Sequence, residues 1–102
     1  MTIDEMKANI QNGIAWLDEN RPEWRPKVKA KIEAAEFDMA SPCDCVIGAT
    51  NRNFYRVFSK IGVTNLTYHY AVERGFALPF MHEDEADVEY AKLTQLWIEA
   101  VG

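Results

Sequence analysis

The sequence predicts a mainly α-helical protein, a single compact domain of five to six short helices over residues 1–102, with room for one short extended segment. Three observations predict it. Apolar residues recur at intervals of three and four in several stretches, the period of a helix that buries one face. Capping residues precede those stretches and glycine or proline follows them. The 102 residues are 48% apolar and 26% charged, a globular composition at single-domain length, without a repeat, a low-complexity segment or a linker that would divide it.

The first helix is announced by Thr2 and Glu5, a capping-box spacing. Ile3, Met6, Ile10, Ile14 and Leu17 make its apolar stripe. It is expected to run to about Glu19, because Pro22 disfavours helical geometry in the residue before it and lacks a donor of its own. From Glu23 to Ala35 two patterns compete. Trp24, Val28, Ile32 and Ala35 fit a helical stripe, whereas Val28 to Ile32 alternates as a strand would. The alanines and the Glu and Lys around them favour the helix, with Pro26 in its first turn. Phe37-Asp38-Met39 reads as a connection. Ser41-Pro42 then supplies an N-cap and a first-turn proline for a short helix through Cys45, Val46 and Ile47 toward Gly48.

Asn51 is a second capping signal, ahead of a stripe of Phe54, Val57, Phe58 and Ile61 that ends at Gly62. Thr64 or Asn65 can cap a helix carrying Leu66, Tyr70 and Val72 and closed by Gly75. Phe76 to Phe80 reads as an extended apolar connection against the core. The last helix has the strongest signal: carboxylates from Glu83 to Asp87 complement its positive end, and Tyr90, Leu93, Trp97 and Val101 form its inner stripe.

Charge narrows the function classes. Sixteen acidic against eleven basic residues give a net charge of −5, a sign that repels phosphate backbones, so direct nucleic-acid binding is not expected. The charges are segregated. Residues 21–31 are net +4, through Arg21, Arg25, Lys27, Lys29 and Lys31 against Glu23, and residues 83–89 are net −5. Such patches serve as solvated faces that can attract each other in the fold, or as recognition surfaces. No stretch approaches the roughly 18 apolar residues needed to cross a bilayer, and the N-terminal residues lack a leader's pattern, so a cytoplasmic protein is expected. Two cysteines, Cys43 and Cys45, suit a reducing compartment better than a disulfide framework.

In order and spacing, Gly13, Leu17-Asp18, Pro22-x-Trp24, Phe37-Asp38-Met39, Cys45-Val46-Ile47-Gly48, Gly75-Phe76 and Tyr90-x-x-Leu93-Thr94-x-x-Trp97 resemble a family of small uncharacterised proteins from actinobacteria and their phages. The resemblance covers most of the chain. It departs at Ala49, where members often carry glutamine, and in the closer spacing of Cys43 and Cys45. The family has no settled activity to transfer. The resemblance implies a small protein of a phage, prophage or actinobacterial genome, acting in the host cytoplasm by binding a host or phage protein.

The chemistry-bearing residues are few. Arg52, Arg56 and Lys60 recur every four residues and, with Tyr55, make the first candidate for a partner-binding face, weighed against an ordinary solvated helix face. Glu83, Asp84, Glu85 and Asp87 are an alternative acidic face that can mimic a phosphate backbone and block a nucleic-acid-binding enzyme, weighed against plain dipole capping. Cys43, Cys45, His69 and His82 supply the four ligands of a zinc site, although the cysteine spacing is wrong for a standard knuckle. The plainer reading makes Cys45 a small buried residue with Cys43 near the surface. Cys43 near a helix start also raises a thiolate or redox role, but no base is oriented toward it. His69 and Glu73, one turn apart, suit a surface pair better than an acid–base couple. Trp16, Trp24 and Trp97 are expected in the core, Trp16 at its border or at an interface. With no phosphate loop, paired carboxylate frame or Ser-His-Asp set, the chain is expected to be non-enzymatic and without a cofactor.

Overall fold

Thr2 opens the first helix from an extended backbone conformation, its hydroxyl oxygen accepting the Glu5 N–H at 3.1 Å. The Glu5 carboxylate returns to that hydroxyl at 3.2 Å. In the computed structural model, which describes residues 1–41, 44–50, 67–79 and 81–102, the helices are α1 (Ile3–Asn20), α2 (Trp24–Glu33), α3 (Val46–Thr50), α4 (Thr67–Glu73) and α5 (Glu83–Val101). No strand occurs among the described residues, and the fold is mainly helical. The segment expected to carry Phe54, Val57, Phe58, Ile61 and Gly62 lies outside them.

One apolar cluster joins these helices. α1 contributes Met6, Ile10, Trp16 and Leu17, α2 Trp24 and Val28, α3 Val46 and Ile47, and α5 Leu93, Trp97 and Val101. A row of aromatic rings crosses it. Trp16 meets Phe76 edge-on at 5.7 Å, Phe76 stacks on Trp97 at 6.1 Å, and Trp97 meets Trp24 edge-on at 6.3 Å. Each such pair adds about 0.5–1.5 kcal/mol beyond the area it buries. The indole donors are satisfied: Trp97 Nε1 donates to the Gly75 carbonyl at 2.7 Å and Trp24 Nε1 to Asp18 Oδ1 at 2.8 Å.

Glycine sets how closely two helices cross. A Cβ on Gly13 of α1 would collide with the Arg74 carbonyl oxygen, so only a residue without a side chain lets α1 lie across the end of α4. That end is closed by Gly75 at φ +70°, with the Gly75 N–H on the Val72 carbonyl and the Phe76 N–H on the Ala71 carbonyl. This paired bonding around a left-handed residue is a Schellman ending. The chain leaves it buried, with Phe76, Ala77 and Leu78 against the core as the sequence predicts.

α2 resolves the competition over residues 23–35 in favour of the helix, with Pro26 in its first turn. Ala35 departs from expectation. It extends no stripe, because it lies beyond the helix at φ +57°, where the Ala35 N–H bonds to the Ile32 carbonyl and the Glu36 N–H to the Lys31 carbonyl. The connection after it buries Phe37 and Met39 and is tied to α5 by the Met39 N–H, which donates to Thr94 Oγ1 at 3.0 Å.

The helix expected to open at Ser41-Pro42 and close at Gly48 instead begins at Val46 and continues through Gly48 to Thr50. A helical bond nevertheless starts at Ser41, whose carbonyl accepts the Cys45 N–H at 3.0 Å, and Pro42 and Cys43 lie outside the described residues. The Asp38 carboxylate accepts the Ala40 N–H at 2.9 Å and the Asp38 carbonyl accepts the Ser41 N–H at 3.1 Å, which holds the chain in a turn ahead of the helix. Ser41 still caps, its hydroxyl accepting the Asp44 N–H at 3.3 Å. On α1, Ile3 is 50% exposed rather than part of the inner stripe, since it stands at the first helical position.

Candidate functional site

The basic segment of the sequence maps to the α1–α2 connection and α2. Its five cations are not equivalent. Lys31 is held by Asp44 at 2.9 Å and Glu36 at 3.2 Å. Arg25 lies over the Trp24 ring at 4.6 Å and reaches the Val101 carbonyl at 3.4 Å, a cation at the negative end of α5. Arg21 bonds to the neighbouring Asn20 carbonyl at 2.8 Å. Lys27 and Lys29 are exposed and have no acidic partner among the described residues.

The acidic segment begins α5. Glu83, Asp84, Glu85 and Asp87 are all exposed, and none of them forms an ion pair among the described residues; Glu89 pairs with Lys92 at 2.9 Å. No ion pair joins the two charged segments among the described residues. α2 begins beside Val101, whereas the acidic residues start the same helix eighteen residues earlier, about 27 Å along its axis.

Arg52, Tyr55, Arg56 and Lys60 lie outside the described residues, as does Cys43. Of the other zinc candidates, Cys45 is 2% exposed and its Sγ accepts the Gly48 N–H at 3.3 Å. His69 is exposed on α4, and His82 is exposed at the N-cap of α5. No group of three or more metal-ligating side chains occurs among the described residues. The Glu73 carboxylate turns to Arg74, at 3.8 Å, rather than to His69. Trp16 is 7% exposed and packed on Phe76, which places it in the core rather than at an interface.

Two clefts flank these residues. The first, about 170 Å³, is lined by Asn20, Arg21, Glu23, Lys27 and Thr50 over Pro22 and Trp24. The second, about 310 Å³, lies beside Gly13 between Asn12, Glu19, Glu73 and Arg74. Its arginine is already engaged, its guanidinium 3.4 Å from the Tyr70 ring centre and bonded to the Tyr70 carbonyl at 3.2 Å.

The polar cluster of Lys31, Glu36, Ser41 and Asp44 was not singled out by sequence reasoning, although Ser41 and Asp44 have capping-box spacing. Its electrostatics follow from contact. The hydrogen bond from Lys31 holds the Asp44 carboxyl below the usual carboxylate range, and the bonds to Asp44 and then Glu36 raise the Lys31 ammonium. No family model matches the chain, and no curated protein or solved structure matches it at a significant level.

Proposed function

We propose that this chain is a non-enzymatic binding module that modulates a host or phage protein in the cytoplasm, as the resemblance to actinobacterial and phage proteins implies. The observation that carries this reading is exposed charge of both signs. Lys27 and Lys29 of the basic segment and Glu83, Asp84, Glu85 and Asp87 of the acidic one are exposed and form no ion pair among the described residues. Arg52, Tyr55, Arg56 and Lys60 form the core of the partner-binding face, on a surface of about 800 Å² per partner, the standard size of a specific interface. Affinity capture from an actinobacterial lysate, with nuclease, tests it. A stoichiometric protein is expected to be retained by the wild type and lost by the Arg52→Glu, Arg56→Glu variant, whose circular dichroism spectrum stays unchanged. Equal retention by both sinks the assignment.

A second reading is favoured by the exposed carboxylates of Glu83, Asp84, Glu85 and Asp87, which lack ion-pair partners among the described residues. They suit an acidic decoy that occupies the nucleic-acid groove of an enzyme, such as one of a host defence system. Polyanion competition separates the two readings, because only the decoy is displaced from its partner by DNA or RNA.

A further inference from the structure

We infer that the cleft between Arg21 and Lys27 is an acceptor for a carboxylate-bearing segment of the protein partner; the inference rests on the reading of Arg52, Arg56 and Lys60 as partner-binding residues and names the chemistry of that partner. The cleft joins elements the sequence keeps apart. Arg21 follows α1, Lys27 lies on α2, and Thr50 ends the described part of α3, so three parts of the chain meet there. Thr50 stands two residues before Arg52 in the chain, and the stretch from Arg52 to Lys60 carries three cations and no acid.

Of the basic residues in 21–31, Arg21, Lys27 and Lys29 form no ion pair among the described residues, and of these Arg21 and Lys27 line the cleft. Lys31 is neutralised by Asp44 and Glu36, and Arg25 is committed to Trp24 and the end of α5. Lys27 has no acidic partner among the described residues, and the Arg21 guanidinium bonds to a neutral carbonyl and forms no ion pair among them. At about 170 Å³ the cleft is below the size of ordinary cofactor pockets and suits a single side chain. The side chain that two cations select is a carboxylate. Glu23 lines the same cleft and opposes that ligand. It occupies the N-cap position of α2 without making a side-chain cap bond, so its charge can be changed without removing a cap interaction.

The experiment is fluorescence anisotropy of a labelled oligoglutamate peptide on the whole chain, at about 0.05 M and 0.3 M salt, with a DNA duplex of equal charge as the second probe. The wild type is expected to bind the peptide in preference to DNA, more weakly at the higher salt. Arg21→Glu with Lys27→Glu should weaken binding by about tenfold or more, and Glu23→Lys should tighten it about threefold, at an unchanged melting temperature. The gain is informative because a merely structural role for Glu23 does not produce tighter binding. Wild-type affinity in both variants overturns the cleft assignment, as does tighter binding of DNA than of peptide or no peptide binding at all. The Arg52→Glu, Arg56→Glu variant keeps the two readings apart. If it alone loses affinity, the cleft is wrong and the stripe stands; if it binds as wild type while the cleft variants respond, the stripe is wrong.

Discussion

Two helices of this protein end in the same way with different residues. α4 closes with Gly75 at φ +70° and α2 with Ala35 at φ +57°, each inside the paired hydrogen bonds of a Schellman ending. Gly75 is buried against Ile10, where a Cβ would lie 3.0 Å from the Ile10 side chain and backbone nitrogen, whereas Ala35 is exposed. Left-handed geometry disfavours any side chain by about 1–2 kcal/mol. At the exposed end that cost is tolerated, because nothing else opposes the methyl group. At the buried end steric crowding is added to it, and glycine is required. Backbone conformation alone therefore does not dictate the residue; conformation together with packing does.

The comparison can be broken at either end. Gly75→Ala carries both penalties and is expected to destabilise the fold by about 2–3 kcal/mol in chemical denaturation. A cost no larger than a typical surface substitution would mean that α1 yields easily. Ala35→Gly runs the other way. Relief of strain exceeds the added freedom of the unfolded chain, so a gain of about 0.5–1 kcal/mol is expected, seen as a higher denaturation midpoint with an unchanged slope. The smallest effect belongs to the polar cluster that follows Ala35. Lys31 depresses the Asp44 carboxyl, so the stabilisation from that group is present above its ordinary value of about pH 4 and is lost as pH falls through the lower folded value. Asp44→Asn is thus expected to be less stable than wild type at neutral pH and to converge with it in acid; parallel thermal melts across pH check this.

The same two endings show what the sequence discloses. Gly75 is legible as a helix stop, and so is Thr2 as a helix start, because each signal is local and chemical. The inner stripe of α5 is legible too, since Leu93, Trp97 and Val101 are buried where a period of 3.6 places them. Ala35 is not legible as a left-handed residue, because alanine favours helix and nothing in its own neighbourhood announces the turn. Trp16 misleads for a different reason. It stands off the strict stripe of α1, but Phe76 covers that side of the helix, a contact across sixty residues that periodicity does not contain. Ser41 is legible as a cap, its hydroxyl accepting the Asp44 N–H and its carbonyl the Cys45 N–H. On the functional side the two charged segments are plain in the sequence. The lack of ion pairs between them among the described residues and the meeting of Arg21, Lys27 and Thr50 are not, because both depend on how the helices pack.

The aromatic row through the core has an optical consequence. All three indoles are sequestered, and Trp24 and Trp97, 6.3 Å apart, can exchange excitation, so emission reports the interior of the fold. Intrinsic fluorescence should be blue-shifted in the native protein, resist quenching by acrylamide, and move red in a single step on unfolding. Docking of a partner at the cleft over Trp24 is the exception to that insulation, since that indole lines it. The protein thus carries its own built-in thermometer of folding, with Trp24 as the indole placed to report on the cleft.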